Sequence, residues 1–97
     1  MPTFVMLNKL TDQGIKTIKD TTKRHANTKK NAAKYGIKVK EFFWTLGSYD
    51  VIGVYDAPDA ESMAAFTLSV GMAGNVHTQL LRALDEAEMK AILSKMD

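Results

Sequence analysis

Ile37-Lys38-Val39-Lys40-Glu41-Phe42-Phe43-Trp44-Thr45-Leu46, then Gly47-Ser48-Tyr49-Asp50, then Val51-Ile52-Gly53-Val54-Tyr55, then Ala57-Pro58-Asp59: this stretch decides the fold. Two runs rich in β-branched and aromatic residues flank a short loop that begins with glycine, the pattern of a β-hairpin. The Ala-Pro-Asp that follows opens a helix, since a proline in the first turn gives up an N–H that the turn does not use. Met63, Phe66, Thr67 and Val70 recur at helical spacing behind it, and Gly71 and Gly74 close the helix.

Outward from the hairpin, Thr3–Leu10 reads as a short apolar strand containing Phe4, Val5, Met6 and Leu7. It is apolar on both faces, so both faces need cover: helices on one and, most economically, a second subunit on the other. Thr11 caps a helix with Asp12 in its first turn, and the spacing predicts one helix from there to about Tyr35, ended by Gly36. Its inward stripe starts with Ile15 and Ile18 and continues through Thr22, His25 or Ala26, and Ala32 or Ala33. That stripe is thin and partly polar, and it predicts a helix lying over a cavity or packing imperfectly. Residues 75–83 alternate as a fourth strand. Asp85-x-x-Glu88 has the form of a capping box for a last helix, with Met89, Ile92, Leu93 and Met96 on one face. That face caps the core or reaches a partner.

The order is βαββαβ plus a C-terminal helix. Right-handed crossovers place both long helices on one face of a four-stranded antiparallel sheet, an α+β fold of the ferredoxin-like kind spanning residues 1–97 as one domain. The length suits one domain with a thin core. Without cysteine the chain forms no disulfide or thiolate metal site. The N-terminus lacks the pattern of a signal peptide, and no apolar run approaches the roughly 20 residues of a membrane span, so the expected location is cytoplasmic. The net charge of +2 hides an asymmetry: residues 16–40 hold nine of thirteen basic residues against Asp20 alone. Such a run is a solvated helix exterior or an anion-binding face.

Thr3-Phe4-Val5, Thr11-Asp12-Gln13-Gly14-Ile15-Lys16, the Gly47–Val51 hairpin, Ala57-Pro58-Asp59, Gly74-Asn75-Val76 and Leu81-Arg82-Ala83 together resemble the GYD-domain family along nearly the whole chain. The resemblance implies a dimeric α/β barrel, in which two ferredoxin-like sheets pack face to face. That superfamily includes small monooxygenases, isomerases, haem-handling proteins and ligand-binding regulatory domains, so the resemblance alone selects no activity.

Several residues are candidates for chemistry. Asp50 either caps the hairpin turn or orients a ligand and acts as a base. Tyr49 either packs at the edge or donates to a ligand oxygen. His25 and His77 lie 52 positions apart on different elements, with no acid or cysteine at ligand spacing, so no metal site is expected. Each is a possible general base or a satisfied structural residue. Trp44, with Phe42 and Phe43, walls a pocket or packs in the core. No nucleophile elbow, zinc motif, phosphate loop or dinucleotide fingerprint is present, and no cofactor is expected.

Three functions follow as expectations. The first is a homodimer, or an assembly of dimers, that binds a small apolar or aromatic molecule between sheet and helices through Trp44, Tyr49, Asp50, His77 and His25. The second is a cofactor-independent monooxygenase or isomerase, with Tyr49, Asp50 and His77 as catalytic candidates. The third is anion or nucleic-acid binding through residues 16–40. It is weakened by the lack of aromatics interleaved with the basic run, Tyr35 apart.

Overall fold

The computed structural model describes all residues 1–97. The strands are β1 (Thr3–Leu10), β2 (Lys38–Trp44), β3 (Val51–Asp56) and β4 (Val76–Ala83). The helices are α1 (Asp12–Lys16), α2 (Thr21–Lys34), α3 (Ala60–Met72) and α4 (Glu86–Leu93), with a 3-10 turn at Ile18–Asp20 between α1 and α2. The sheet order is β2-β3-β1-β4 and every neighbouring pair is antiparallel. β1 is therefore parallel to β2, and β3 to β4. Each pair is joined by a helical crossover that skips one strand, which is the ferredoxin-like arrangement.

The first helix is not continuous. Thr17 leaves helical geometry at φ −107° and ψ 26°. The Thr17 hydroxyl donates to the Gln13 carbonyl, and the Arg24 guanidinium donates to both the Thr17 carbonyl and the Gly14 carbonyl. Side-chain donors thus reach the Gly14, Gln13 and Thr17 carbonyls at the break, the last two alongside the backbone N–H groups of Thr17 and Asp20. The break turns Ile15 and Ile18 outward, to 53% and 37% exposure, so the predicted inward stripe begins only at α2. Gly36 at φ +73° and Gly74 at φ +81° close α2 and α3 in the left-handed region, as the glycine positions predict. Pro58 lies just before α3 rather than in its first turn; Asp59 is the N-cap, and its carboxylate accepts from the Ser62 N–H at 2.7 Å.

Phe4, Met6, Tyr55, Met63 and Phe66 form the core with Ala32, Ile37 and Ala57. Phe66 lies at its centre, its ring 5.7 Å from that of Tyr55 and 6.0 Å from that of Tyr35. Gly53 makes room for this: a Cβ there would fall 2.5 Å from the Tyr55 ring and hydroxyl, so the ring lies across the glycine.

The opposite face of the sheet carries Val5, Leu7, Ile52, Val54, Phe43 and Leu81, by alternation from the buried residues and by register. No element of the chain covers it, and Phe43 is 54% exposed. α4 does not cap the core. None of its residues is buried, although its capping box is formed by Asp85 and Glu88 in both directions.

Candidate functional site

α2 brings small and polar side chains to the sheet: Thr21, His25, Thr28, Asn31 and Ala32. Between its first half and the sheet lies a cavity of about 380 Å³. β1 supplies Met6 and Asn8 to its floor, β3 supplies Val51 and Tyr55, and Phe42 stands at the β2 side. Val70 and Ala73 of the α3 segment and Asn75 close the other side.

A bulge sets the position of Phe42. The β2–β3 register slips between Val39 and Glu41, so Phe42 pairs with Gly53 and faces the helices while Phe43 turns to the open face. The His25 ring stacks on Phe42 with centroids 3.7 Å apart and meets Trp44 edge-on at 5.6 Å. The Trp44 Nε1–H donates to the Thr21 hydroxyl at 3.0 Å, tying β2 to the start of α2. Burial first, and the nearby Lys29 charge second, hold the His25 pKa below the ordinary 6.5. His25 Nδ1 is buried without a hydrogen-bond partner. Burial pushes the Tyr55 phenol up to about 12.

Of the residues singled out in the sequence as candidates for chemistry, His25 and Phe42 line the cavity; Trp44 stands behind His25, and Phe43 faces the other side of the sheet. Asp50 is spent on the backbone. Its carboxylate accepts from the Leu10 N–H at 2.7 Å, its N–H donates to the Asn8 carbonyl, and its carbonyl accepts from the Thr45 N–H. It thereby fastens the hairpin to the end of β1. Tyr49 donates its hydroxyl to Gln79 Oε1 at 2.6 Å, on the open face of the sheet. His77 is exposed on that same face, opposite Lys9. Tyr49, Asp50, Trp44 and His77 therefore do not line one shared cavity. Nowhere do three or more histidine or acidic side chains converge as a set of metal ligands. Arg24, Asn8 and Tyr55 line the cavity without having been singled out. The only sequence signal for Arg24 was its place in the basic run.

A ferredoxin-like sheet with a cavity beneath its first long helix and an uncovered opposite face defines a small α+β domain. The chain belongs to the GYD domain family, whose profile matches residues 4–93. It is 33% identical over 94 residues to a protein of Thermus thermophilus described as a glutamine synthetase and cystathionine beta-lyase binding protein; the match covers 96% of this chain and 99% of that protein. No helix is long and apolar enough to cross a membrane.

Proposed function

We propose that the protein is a homodimeric domain that binds a small molecule with a substantial apolar part in the cavity beneath α2. The cavity itself carries this reading. Its volume of about 380 Å³ lies within the range of small-molecule sites, roughly 300–1,000 Å³. Met6, Phe42, Val51, Tyr55 and Val70 give it apolar walls, and a few polar groups converge on it. The uncovered apolar face of the sheet supports the pairing. Val5, Leu7, Phe43, Ile52, Val54 and Leu81 form a continuous patch of the kind that association covers. Native mass spectrometry of the purified protein, followed by denaturing analysis, reads both features. A dimer carrying a non-covalent mass that is lost on denaturation is the expected result. A monomer would overturn the pairing, and a ligand-free protein that also binds no member of a small-molecule library would overturn the cavity reading.

A second reading is favoured by the Thermus relative: the open sheet face, or the exposed face of α4, docks enzymes rather than a second copy. Surface plasmon resonance against purified glutamine synthetase and cystathionine beta-lyase tests it. Saturable binding that Leu81→Lys abolishes would support the sheet face, and no binding to either enzyme would remove this reading.

A further inference from the structure

The polar lining of the cavity consists of amides, hydroxyls, the His25 imidazole and one guanidinium. Arg24 carries the only formal charge among the lining residues, and none of them is Asp or Glu. Its guanidinium makes three hydrogen bonds: Nη1 to the Thr17 carbonyl and hydroxyl, and Nη2 to the Gly14 carbonyl. A guanidinium has five N–H donors, so the Nε–H and one Nη2–H have no protein acceptor. Nor does Arg24 pair with a carboxylate; the chain's ion pairs are Lys40–Asp56, Arg82–Glu88 and Lys90–Glu86. Asn8, buried at 6% exposure, accepts from the Thr78 hydroxyl through Oδ1, which leaves its amide N–H groups without a protein partner. The Tyr55 hydroxyl likewise has no protein partner. α2 adds Lys23, Lys29, Lys30 and Lys34 on its exposed side and contains no acid, so the helix over the cavity carries net positive charge.

The walls specify the rest of the ligand. Phe42 and His25 form one stacked aromatic pair, and Tyr55 presents a second ring. Flat apolar walls favour a planar body, since aromatic rings stack or meet edge-on over such surfaces.

We infer that the cavity takes a small aromatic carboxylate, its carboxylate on the free N–H edge of Arg24 and its ring against Phe42 and Tyr55. The inference rests on the cavity being a binding site and adds the chemical class of what it binds. Two adjacent N–H donors match the two oxygens of a carboxylate, the bidentate geometry that arginine supports and lysine does not. Charge selection follows from the missing acids: a cationic ligand would face Arg24 with no counter-charge, and a neutral one would offer the guanidinium only an uncharged, weaker acceptor.

The test compares three probes of one shape by NMR titration: 3-phenylpropionate, 3-phenylpropanamide and 3-phenylpropylamine. The wild-type protein is expected to bind the carboxylate about tenfold or more tightly than the amide, as a charge-assisted pair requires, and the amine least. Arg24→Gln is expected to bring the carboxylate and amide to within about twofold, and Arg24→Lys to keep part of the preference. Because Arg24 also ties α1 to α2, the preference is taken as a ratio within each variant, and the wild-type ratio decides even if Arg24→Gln does not fold. Equal binding of carboxylate and amide, or tighter binding of the amine, overturns the inference and leaves the cavity reading standing. A carboxylate preference that survives in folded Arg24→Gln overturns the assignment to Arg24. Binding of none of the three, by a protein that also carries no co-purified molecule, overturns the cavity reading and this inference with it.

Discussion

Glycine-to-alanine substitutions at two helical positions are expected to change stability in opposite directions. Intrinsic propensity favours alanine over glycine within a helix by up to about 1 kcal/mol. At Gly14 in α1, however, a Cβ would fall 2.1 Å from the carbonyl oxygen and 3.0 Å from the carbonyl carbon of Asn75. That oxygen is a backbone atom and it accepts from the Thr11 N–H at 3.0 Å. The Thr11 hydroxyl donates to the neighbouring Gly74 carbonyl at 2.6 Å, and Gln13 Nε2 donates to Asn75 Oδ1 and to the Ala73 carbonyl. Relieving the overlap requires the two segments to part by about 1 Å, which breaks or lengthens the two Thr11 bonds at about 0.5–1.5 kcal/mol each. The propensity gain offsets only part of this, so Gly14→Ala should destabilise the protein by about 1–2 kcal/mol. At Gly71, near the end of α3, a Cβ meets nothing within 4 Å. Gly71→Ala should therefore stabilise it by about 0.5 kcal/mol, less than mid-helix because the position lies in the last turn. Urea denaturation followed by circular dichroism reads both. A Gly14→Ala variant as stable as wild type, or more so, would refute the close approach of α1 to the α3–β4 loop.

Phe66, fully buried between Tyr35 and Tyr55, should cost about 3–5 kcal/mol as Phe66→Ala in the same assay, a large part of a small domain's stability. The depressed His25 pKa means that the unfolded chain binds more protons than the folded one just below pH 6.5, so stability should fall as pH drops through that value. The urea midpoint should decline from pH 7.5 to 5.0 in wild type and decline less in His25→Phe. The carboxylates held low, Asp59 by the Ser62 N–H and Glu88 by Arg82, lose their contribution only near and below their ordinary range around pH 4, outside this window. Asp85→Ala removes one half of the α4 capping box, worth about 0.5–2 kcal/mol to the helix. Because no α4 residue is buried, amide exchange in residues 86–93 should quicken while the global urea midpoint barely moves.

Much of the architecture was legible because glycines, caps and apolar periodicity agreed. Gly36, Gly74, Asp85 and Glu88 play their expected parts, and β1 spans the residues its composition indicates. Two features escaped. The break at Thr17 depends on Arg24 reaching seven residues back, and helical spacing carries no trace of that contact. The bulge in β2 inverts every side chain after it, so Phe42 faces the cavity and Phe43 the open face, whereas the run Phe42-Phe43-Trp44 reads alike in either register. The candidate site suffered most from this kind of loss. Tyr49 and Asp50 stand out as a turn, yet Asp50 is spent on Leu10 and Tyr49 on Gln79. Arg24 and Asn8 look like a surface charge and a strand polar residue until the topology sets one above the other. Tyr55 gains its position only because Gly53 vacates the space beside it.

Methionine-methyl NMR during a 3-phenylpropionate titration tests most directly whether the cavity beneath α2 is the binding site. Met6 lines that cavity, while Met72, Met89 and Met96 are exposed elsewhere on the molecule. The account predicts a saturable shift of the Met6 methyl, with those three unmoved. A Met6 resonance that stays fixed while the probe shifts Met89 or Met96, or shifts nothing, would contradict it.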